Sequence, residues 1–331
     1  MRDEDHISAL KGRLVKPAAL NWEGLFLIAL SLVLTLMPVV VPGKGLFLTT
    51  FTSFPLVVLA VKYPWRYTVR LAGFEAACTL IIGGFQSLIF FSQYGFVPVV
   101  MAWAIRRRCV VAQTMLWSVG VPLGVGSFFF VTYGLFINQT PYQLLVSYLE
   151  QVAETFLEQL QVLEQSQGLD RAGFETFSHM LSQFVLTVFP AFLVINHLIT
   201  NVVNYALARY YCYRSRPSVC LDPADFALWR CSDHLIWIFL ASGVAMLLPI
   251  APISAVALNI FIVTLTIYLL QGIAIAVFWS RRTPFSFRMR LLLTLVLFLL
   301  IGPLCVMLCM AAGLFDLWID FRHLRRQPLS S

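Results

Sequence analysis

Long apolar runs separated by short polar segments dominate the chain. A membrane-spanning helix needs about 20 mostly apolar residues, and backbone groups within hydrocarbon must form their hydrogen bonds inside the segment. The pattern therefore predicts an all-α integral membrane protein with eight or nine transmembrane helices. The predicted spans are residues 25–41, 45–61, 69–91, 96–105, 110–137, 184–208, 235–250, 253–280 and 291–314.

The spans and the segments between them predict how the chain is organised. Helices 1–5 occupy residues 25–137, helix 6 occupies 184–208, and helices 7–9 occupy 235–315. The connecting segments are a cytoplasmic N-terminal segment 1–24, an extracytoplasmic amphipathic helical insert 138–183, a basic cytoplasmic loop 209–234 and a basic C-terminal tail 316–331.

Composition supports a membrane protein. Hydrophobic residues make up 60% of the chain and charged residues 12%, whereas soluble domains contain about 25% charged residues. The mean hydropathy is +0.83. Segment 1–24 is too acidic for the charged region of a secretory signal peptide, so we expect the first helix to stay in the mature protein.

Lysine and arginine clusters beside the spans predict the orientation. If the N-terminus is cytoplasmic, every cluster up to residue 290 lies on the cytoplasmic side, provided that segment 96–105 is a crossing. This predicts a multi-pass protein of a bacterial inner membrane, with the lipid bilayer as its partner and no nucleic acid needed to explain the net charge of +7. The clusters are Lys11/Arg13/Lys16, Lys62/Arg66/Arg70, Arg106/Arg107/Arg108, Arg209/Arg214/Arg216 and Arg281/Arg282/Arg288/Arg290.

The tail is an exception to the charge pattern. The same count places Arg322, Arg325 and Arg326 outside, although arginines favour the cytoplasmic side. Either the rule fails once here, or Gly302-Pro303 breaks the last apolar run into a re-entrant hairpin.

The insert 138–183 predicts an amphipathic helix. Thr140 followed by Pro141 is typical of a helix start, and Gly168 is typical of a helix stop. We consider two interpretations: the helix caps the bundle from outside, or it is a movable lid or a docking face for a partner. An acidic stripe of Glu150, Glu154 and Glu158 lies beside an apolar face formed by Leu145, Leu149, Val152, Phe156, Leu160 and Leu163.

Catalytic and metal-binding motifs are absent from the sequence. It has no GxxxxGK[ST], GxSxG or HExxH pattern, and its seven cysteines do not have zinc-site spacing. The sequence of segment 222–234 is typical of a turn and a helix start rather than of a metal site. We therefore predict that the protein is not an enzyme, that it has no metal or cofactor, and that any ATP-driven work needs a separate ATPase.

Glu75 lies inside a predicted span. A carboxylate at the centre of a bilayer costs about 2.5–3.5 kcal/mol on insertion scales, so two interpretations arise. Glu75 anchors the helix near the membrane interface and pairs with Arg66 or Arg70, or it belongs to a buried ligand-binding site. Its small neighbours predict close helix packing; they are Ala72, Gly73, Ala76 and Ala77.

The span 184–208 has one polar face. At about 100° per residue, its polar side chains fall within an arc of about 140°. We consider a solute-binding cavity, interhelical hydrogen bonds and, as the weakest option, catalysis; Pro190 is expected to kink the helix. The candidate ligand-binding residues on this face are Asn196, His197, Thr200, Asn201 and Asn204.

Two stretches carry a resemblance to known families. The order of spans from residue 25 to 108, including "VPGKG" and "GFVPVVMAWAIRRR", and the ending "GLFDLWIDFRHLRR" resemble the YybS-like family of bacterial membrane proteins. More distantly, the chain is similar to the substrate-binding S components of energy-coupling-factor (ECF) transporters. That similarity implies a six-helix core over residues 25–208 and an outward-opening pocket. It also implies an alanine-x-x-x-alanine surface on the first helix for a coupling subunit, but here Ala29 has no such pair, and Ala72/Ala76 lies on the third helix.

Two functions are consistent with these observations. The first is a subunit that binds or transports a small polar or amphipathic solute, together with separate ATPase or coupling subunits. The alternative is a non-transporting membrane scaffold or assembly partner in envelope or cell-division processes. Transport predicts a bound ligand, whereas scaffolding predicts other membrane proteins as partners and no ligand.

Overall fold

A computed structural model describes residues 21–40, 48, 50–107, 109–147, 171–215 and 226–323. All the regular structure in these ranges is helical. The α-helices are α1 (Trp22–Val40), α2 (Ser53–Lys62), α3 (Trp65–Tyr94), α4 (Phe96–Arg106), α5 (Val111–Phe136), α6 (Arg171–Ser215), α7 (Leu235–Met246), α8 (Ala251–Arg282) and α9 (Phe287–Ile319).

Five of the described helices contain segments long and apolar enough to cross a membrane. These segments are Trp65–Phe85, Val111–Phe136, Gln183–Tyr211, Ala251–Arg282 and Phe287–Ile319. α1, α2 and α7 are apolar but shorter. The protein is therefore a multi-pass helical membrane protein, and the full count of eight or nine crossings stays a prediction.

Helix boundaries differ from the predicted spans in two places. α2 has only ten residues and begins at Ser53, whereas the apolar pattern extends from residue 45; residues 41–47 and 49 lie outside the described ranges. α6 begins at Arg171 and is one helix of 45 residues, so the helical chain continues from the predicted insert into the predicted span. Thr140 starts the insert helix as expected, because its Oγ1 accepts a hydrogen bond from Gln143 N at 3.2 Å.

Two helices are kinked at positions that the sequence explains. Gly84 in α3 has a φ of 67°, a conformation that glycine adopts without steric cost. In α9 the backbone leaves helical geometry at Ile301, next to Gly302-Pro303, since proline lacks the N–H that a helix interior requires. The last apolar run is thus helical on both sides of a kink near Gly302-Pro303, and the two interpretations of the tail stay predictions.

Pro190 in α6 is accommodated without such a kink. The Asn259 side chain of α8 donates a hydrogen bond to Thr187 O at 2.7 Å and accepts one from Ala191 N at 2.8 Å. Asn259 therefore bonds backbone groups on both sides of the proline, as expected where a proline interrupts a transmembrane helix.

The described helices divide into two compact units. Unit 1 contains α1–α5 and α6 from Asn196, and unit 2 contains the earlier part of α6 together with α7–α9. The buried apolar cluster of unit 1 comprises Leu27, Leu56, Val57, Val58, Leu59, Tyr63, Leu71, Val97, Met101, Met115, Tyr205 and Ala208.

Arg106 connects α4 to the end of α2 in unit 1 by hydrogen bonds. Its guanidinium donates to Ala60 O at 2.6 Å and to Tyr63 O at 2.6 Å. The last carbonyls of a helix have no partner within the helix, so a basic side chain there completes their hydrogen bonding. Arg106, predicted only as a topological charge, is therefore also a structural residue.

Candidate functional site

Hydrogen bonds and an ion pair at the two ends of unit 1 show the relative chain directions of α1, α3 and α6. Tyr211, late in α6, donates to the Glu23 carboxylate at the start of α1 at 2.9 Å, and Lys62, just before α3, forms an ion pair with the same carboxylate. His197, earlier in α6, contacts Gln93 near the end of α3 at 2.6 Å. α1 and α3 therefore run in the same direction, and α6 runs against them.

Most of the predicted polar face of α6 is buried inside unit 1. His197, Thr200, Asn201 and Asn204 are buried, whereas Asn196 is exposed. Asn196 donates a hydrogen bond to the Tyr94 hydroxyl at 2.7 Å. Residues on the other side of the helix, such as Ile199, are exposed, as expected for a surface that contacts lipid.

His197 contacts α3, and Asn204 contacts the turn before α2. His197 Nε2 bonds to Gln93 Oε1, and the imidazole stacks on the Tyr94 ring at 5.5 Å between centroids. Asn204 Nδ2 donates to Thr50 O and to Thr200 O, both at 2.6 Å. These contacts match the packing interpretation of the polar face for His197 and Asn204.

Asn201 differs from its neighbours. Its side chain is 0% exposed, and neither Oδ1 nor Nδ2 has a hydrogen-bond partner among the described residues. A buried amide without partners costs free energy, and such groups are rare unless water, an ion or a ligand completes their bonding. Asn201 is therefore the residue of this face whose whole amide lacks a partner among the described residues, whereas His197 and Asn204 each lack one at a single atom, Nδ1 and Oδ1.

Glu75 is also buried rather than interfacial. It is 0% exposed, and it forms no ion pair with Arg66 or Arg70, which are both exposed. The expected pairing with an arginine near the membrane surface is wrong, because the carboxyl points into the unit and the guanidinium groups point out. The hydroxyls of Ser31 and Thr35 on α1 are close enough to act on the carboxyl.

The oxygens around Glu75 are poorly satisfied. Both carboxylate oxygens, Ser31 Oγ and Thr35 Oγ1 are buried and lack hydrogen bonds of standard geometry to any described residue. Ionisable side chains within spans mark functional sites by default.

Ser31 and Thr35 on α1, Glu75 on α3 and Asn201 on α6 are buried polar residues of unit 1. Ser31, Glu75 and Asn201 each lie about one helical turn from a residue of the apolar cluster, namely Leu27, Leu71 and Tyr205. None of the four side chains has a hydrogen bond of standard geometry to a described residue. We call these four residues the polar layer.

The small-residue stretch beside Glu75 packs only in part. Ala72 is buried, but Gly73 and Ala77 are exposed and Ala76 is half-buried. A Cβ placed on Gly73 would have no other atom within 4 Å. Gly73 and Ala77 therefore lie on the outer side of α3, and close packing there stays a prediction.

Close helix packing occurs instead between α8 and α9 in unit 2. A Cβ on Gly272 would lie 1.8 Å from Cys309 O, and a Cβ on Gly313 would lie 1.9 Å from Tyr268 O. Only glycine permits backbones to approach so closely. The sequence analysis missed this pair because the two glycines are far apart in the chain.

A buried ion pair at the end of α9 was also missed. Arg322 Nη2 lies 2.8 Å from Asp316 Oδ2, and Nη1 donates to Ala227 O and Trp229 O at 2.9 and 2.8 Å. Arg322 is therefore a structural residue, whereas the sequence analysis treated it as a topological charge. The signal that could have found it is Asp316, an acidic residue at the end of an apolar helix.

Gln271 extends this network to Cys231. Its amide donates to Asp316 Oδ2 at 2.9 Å, and its Oε1 accepts from Cys231 N at 3.1 Å and from the thiol. Burial raises the pKa of the Cys231 thiol to about 11, so the thiol stays protonated at neutral pH. The acidic stripe of Glu150, Glu154 and Glu158, together with Asp222 and Asp225, lies outside the described residues.

The long apolar helices and the buried polar groups between them define a multi-pass helical membrane protein. Residues 29–317 match the family described as "Predicted membrane protein (DUF2232)", so the chain belongs to that family. Searches of curated proteins and of solved structures gave no match.

Proposed function

We propose that the protein is a membrane subunit that binds a small polar or amphipathic solute through the polar layer of unit 1. The observation that carries the proposal is Asn201, whose buried amide has no partner in the described part of the chain. Its neighbours His197 and Asn204 are hydrogen-bonded to Gln93 on α3 and to Thr50 before α2, so α6 is held in place while the Asn201 amide bonds no described residue. Such an arrangement suits a rigid helix that presents one free amide to a ligand.

We also propose that the protein is related to YybS-like proteins and to ECF S components. This relationship would place the solute site in the six-helix part of the chain, in a bacterial inner membrane with the N-terminus in the cytoplasm. The sequence has no phosphate-binding loop, so ATP-driven transport would use a separate ATPase and coupling subunits. The alternative, a scaffold in envelope or cell-division processes, would instead use the insert 138–183 to hold protein partners.

Native mass spectrometry of the protein extracted gently from its own membrane tests the proposal. The wild-type protein should carry a small-molecule mass, and Asn201→Ala should lose it because the amide that binds the ligand is gone. Ile199→Ala is the matched control, since Ile199 lies two residues away on the exposed side of α6. A wild-type spectrum without any solute but with bound proteins would favour the scaffold.

A further inference from the structure

The strongest unexplained feature of the described chain is the group of oxygens around Glu75. The carboxyl is fully buried, and no lysine, arginine or histidine among the described residues bonds to it. An ionised carboxylate without a counter-charge is costly inside a membrane. The carboxyl is therefore either protonated or paired with a cation that the described residues do not supply.

The neighbours of Glu75 suit a small cation. Ser31 and Thr35 lie one turn apart on α1, and their hydroxyls are close enough to the carboxyl for hydrogen bonding, although none of these oxygens has a hydrogen bond of standard geometry. A carboxylate and two neighbouring hydroxyls can supply oxygen ligands to one shared cation. Carboxylate and neutral oxygen ligands favour hard cations.

We propose that Glu75, Ser31 and Thr35 form a binding site for a compact monovalent cation. Two sources share this chemistry. An inorganic ion such as Na⁺ would be held by the oxygens directly, and a primary ammonium group of a solute would donate its three N–H bonds to the carboxylate and the two hydroxyls. The inference extends the proposed solute site but rests on α1 and α3, so it does not depend on Asn201.

Thermal unfolding of the purified full-length protein in detergent tests this site. The protein is kept in N-methyl-D-glucamine chloride at fixed pH, and NaCl or methylammonium chloride is titrated at constant ionic strength. A cation that binds the folded state raises the unfolding temperature in a saturable way. Stabilisation by Na⁺ alone would identify the bound cation as an inorganic ion, and stabilisation by methylammonium alone would identify it as the amine of a solute. Either result supports the site.

Variants connect the response to the three side chains. Glu75→Gln should raise the apparent dissociation constant by about tenfold or more, and Ser31→Ala and Thr35→Val should raise it by smaller factors. Without the cation, Glu75→Gln should unfold at the same or a higher temperature than the wild type, because it removes a buried charge. Thr264→Val is the matched control, since the Thr264 hydroxyl is buried in α8 and bonded within its own helix.

Three outcomes would overturn the inference. The first is that neither cation changes the unfolding temperature, and the second is that the response survives in Glu75→Gln. The third is an unfolding temperature that changes with pH but with neither cation, because Glu75 would then bind only a proton. A cation response in a protein that retains no solute would separate failure of the solute proposal from failure of this one.

Discussion

Arg322 and Asp316 form an ion pair of 2.8 Å in which the two side chains are 0% and 1% exposed. Both charged groups make further hydrogen bonds: the guanidinium also bonds two backbone carbonyls near residue 228, and the carboxylate also accepts from Gln271 and from Phe321 N. The pair therefore joins the end of α9 to α8 and to the segment before α7.

Removal of either charge should destabilise unit 2. Arg322→Ala leaves Asp316 buried without a counter-charge, and breaking such a pair costs about 3–5 kcal/mol in free energy of unfolding. The control is Arg230→Ala, because Arg230 forms an exposed pair with Asp233 and exposed pairs contribute about 0–1 kcal/mol. Equal thermal stability of the two variants would show that the buried ion pair does not stabilise unit 2.

The same variant should change the chemistry of Cys231. Burial raises the pKa of this thiol to about 11, so the reactive thiolate is scarce at pH 7 and increases as the pH rises toward 11. In Arg322→Ala the network around Gln271 loosens, and we expect faster alkylation of Cys231 at neutral pH, measured by peptide mass spectrometry. An unchanged rate would mean that Cys231 is protected independently of Arg322.

The glycines between α8 and α9 give a second prediction. Gly313→Ala should destabilise the protein by about 1–3 kcal/mol or more, because its Cβ would lie 1.9 Å from a backbone oxygen that cannot move alone. Gly73→Ala is the matched control, since a Cβ there meets no atom within 4 Å and alanine favours helix over glycine. Thermal unfolding should show a loss for the first and no loss for the second; the opposite order would contradict the packing of α8 on α9.

The charge pattern predicts the sidedness of two exposed positions. In a protein without native cysteines, an impermeant maleimide should label Tyr142→Cys in intact cells and should spare Phe285→Cys until the membrane is opened. Both side chains are exposed, so accessibility within the protein does not limit labelling. Protection of position 142 together with labelling of position 285 would reverse the proposed orientation.

Most of the fold could be predicted from hydrophobicity because the length of an apolar run sets where a membrane helix lies. The kinks at Gly84 and Ile301 also follow local chemistry. The start of α6 could not be located from the same signal, because residues 171–183 are helical without being continuously apolar. The close approach of Gly272 and Gly313 joins positions that are far apart in sequence on two consecutive helices, and no local pattern specifies such a contact.

The sequence predicts which candidate residues share one helix face, but it does not predict which residues each of them contacts. The 3.6-residue period showed that polar residues of α6 share one side. Which of them are used in packing depends on partners elsewhere in the chain: Gln93 for His197 and Thr50 for Asn204. We therefore expect His197→Ala to be destabilising, although a cavity lined by the whole face would have predicted little change.

The comparison of Asn201→Ala with Asn204→Ala tests the central claim most directly. Thermal unfolding of each ligand-free variant should show Asn201→Ala as stable as the wild type or slightly more so, because it removes a buried amide that lacks partners. Asn204→Ala should lose about 1–3 kcal/mol, since Thr50 O and Thr200 O lose their donor. If Asn201→Ala is destabilised as much as Asn204→Ala, Asn201 is a contact between helices and the polar layer is not a binding site.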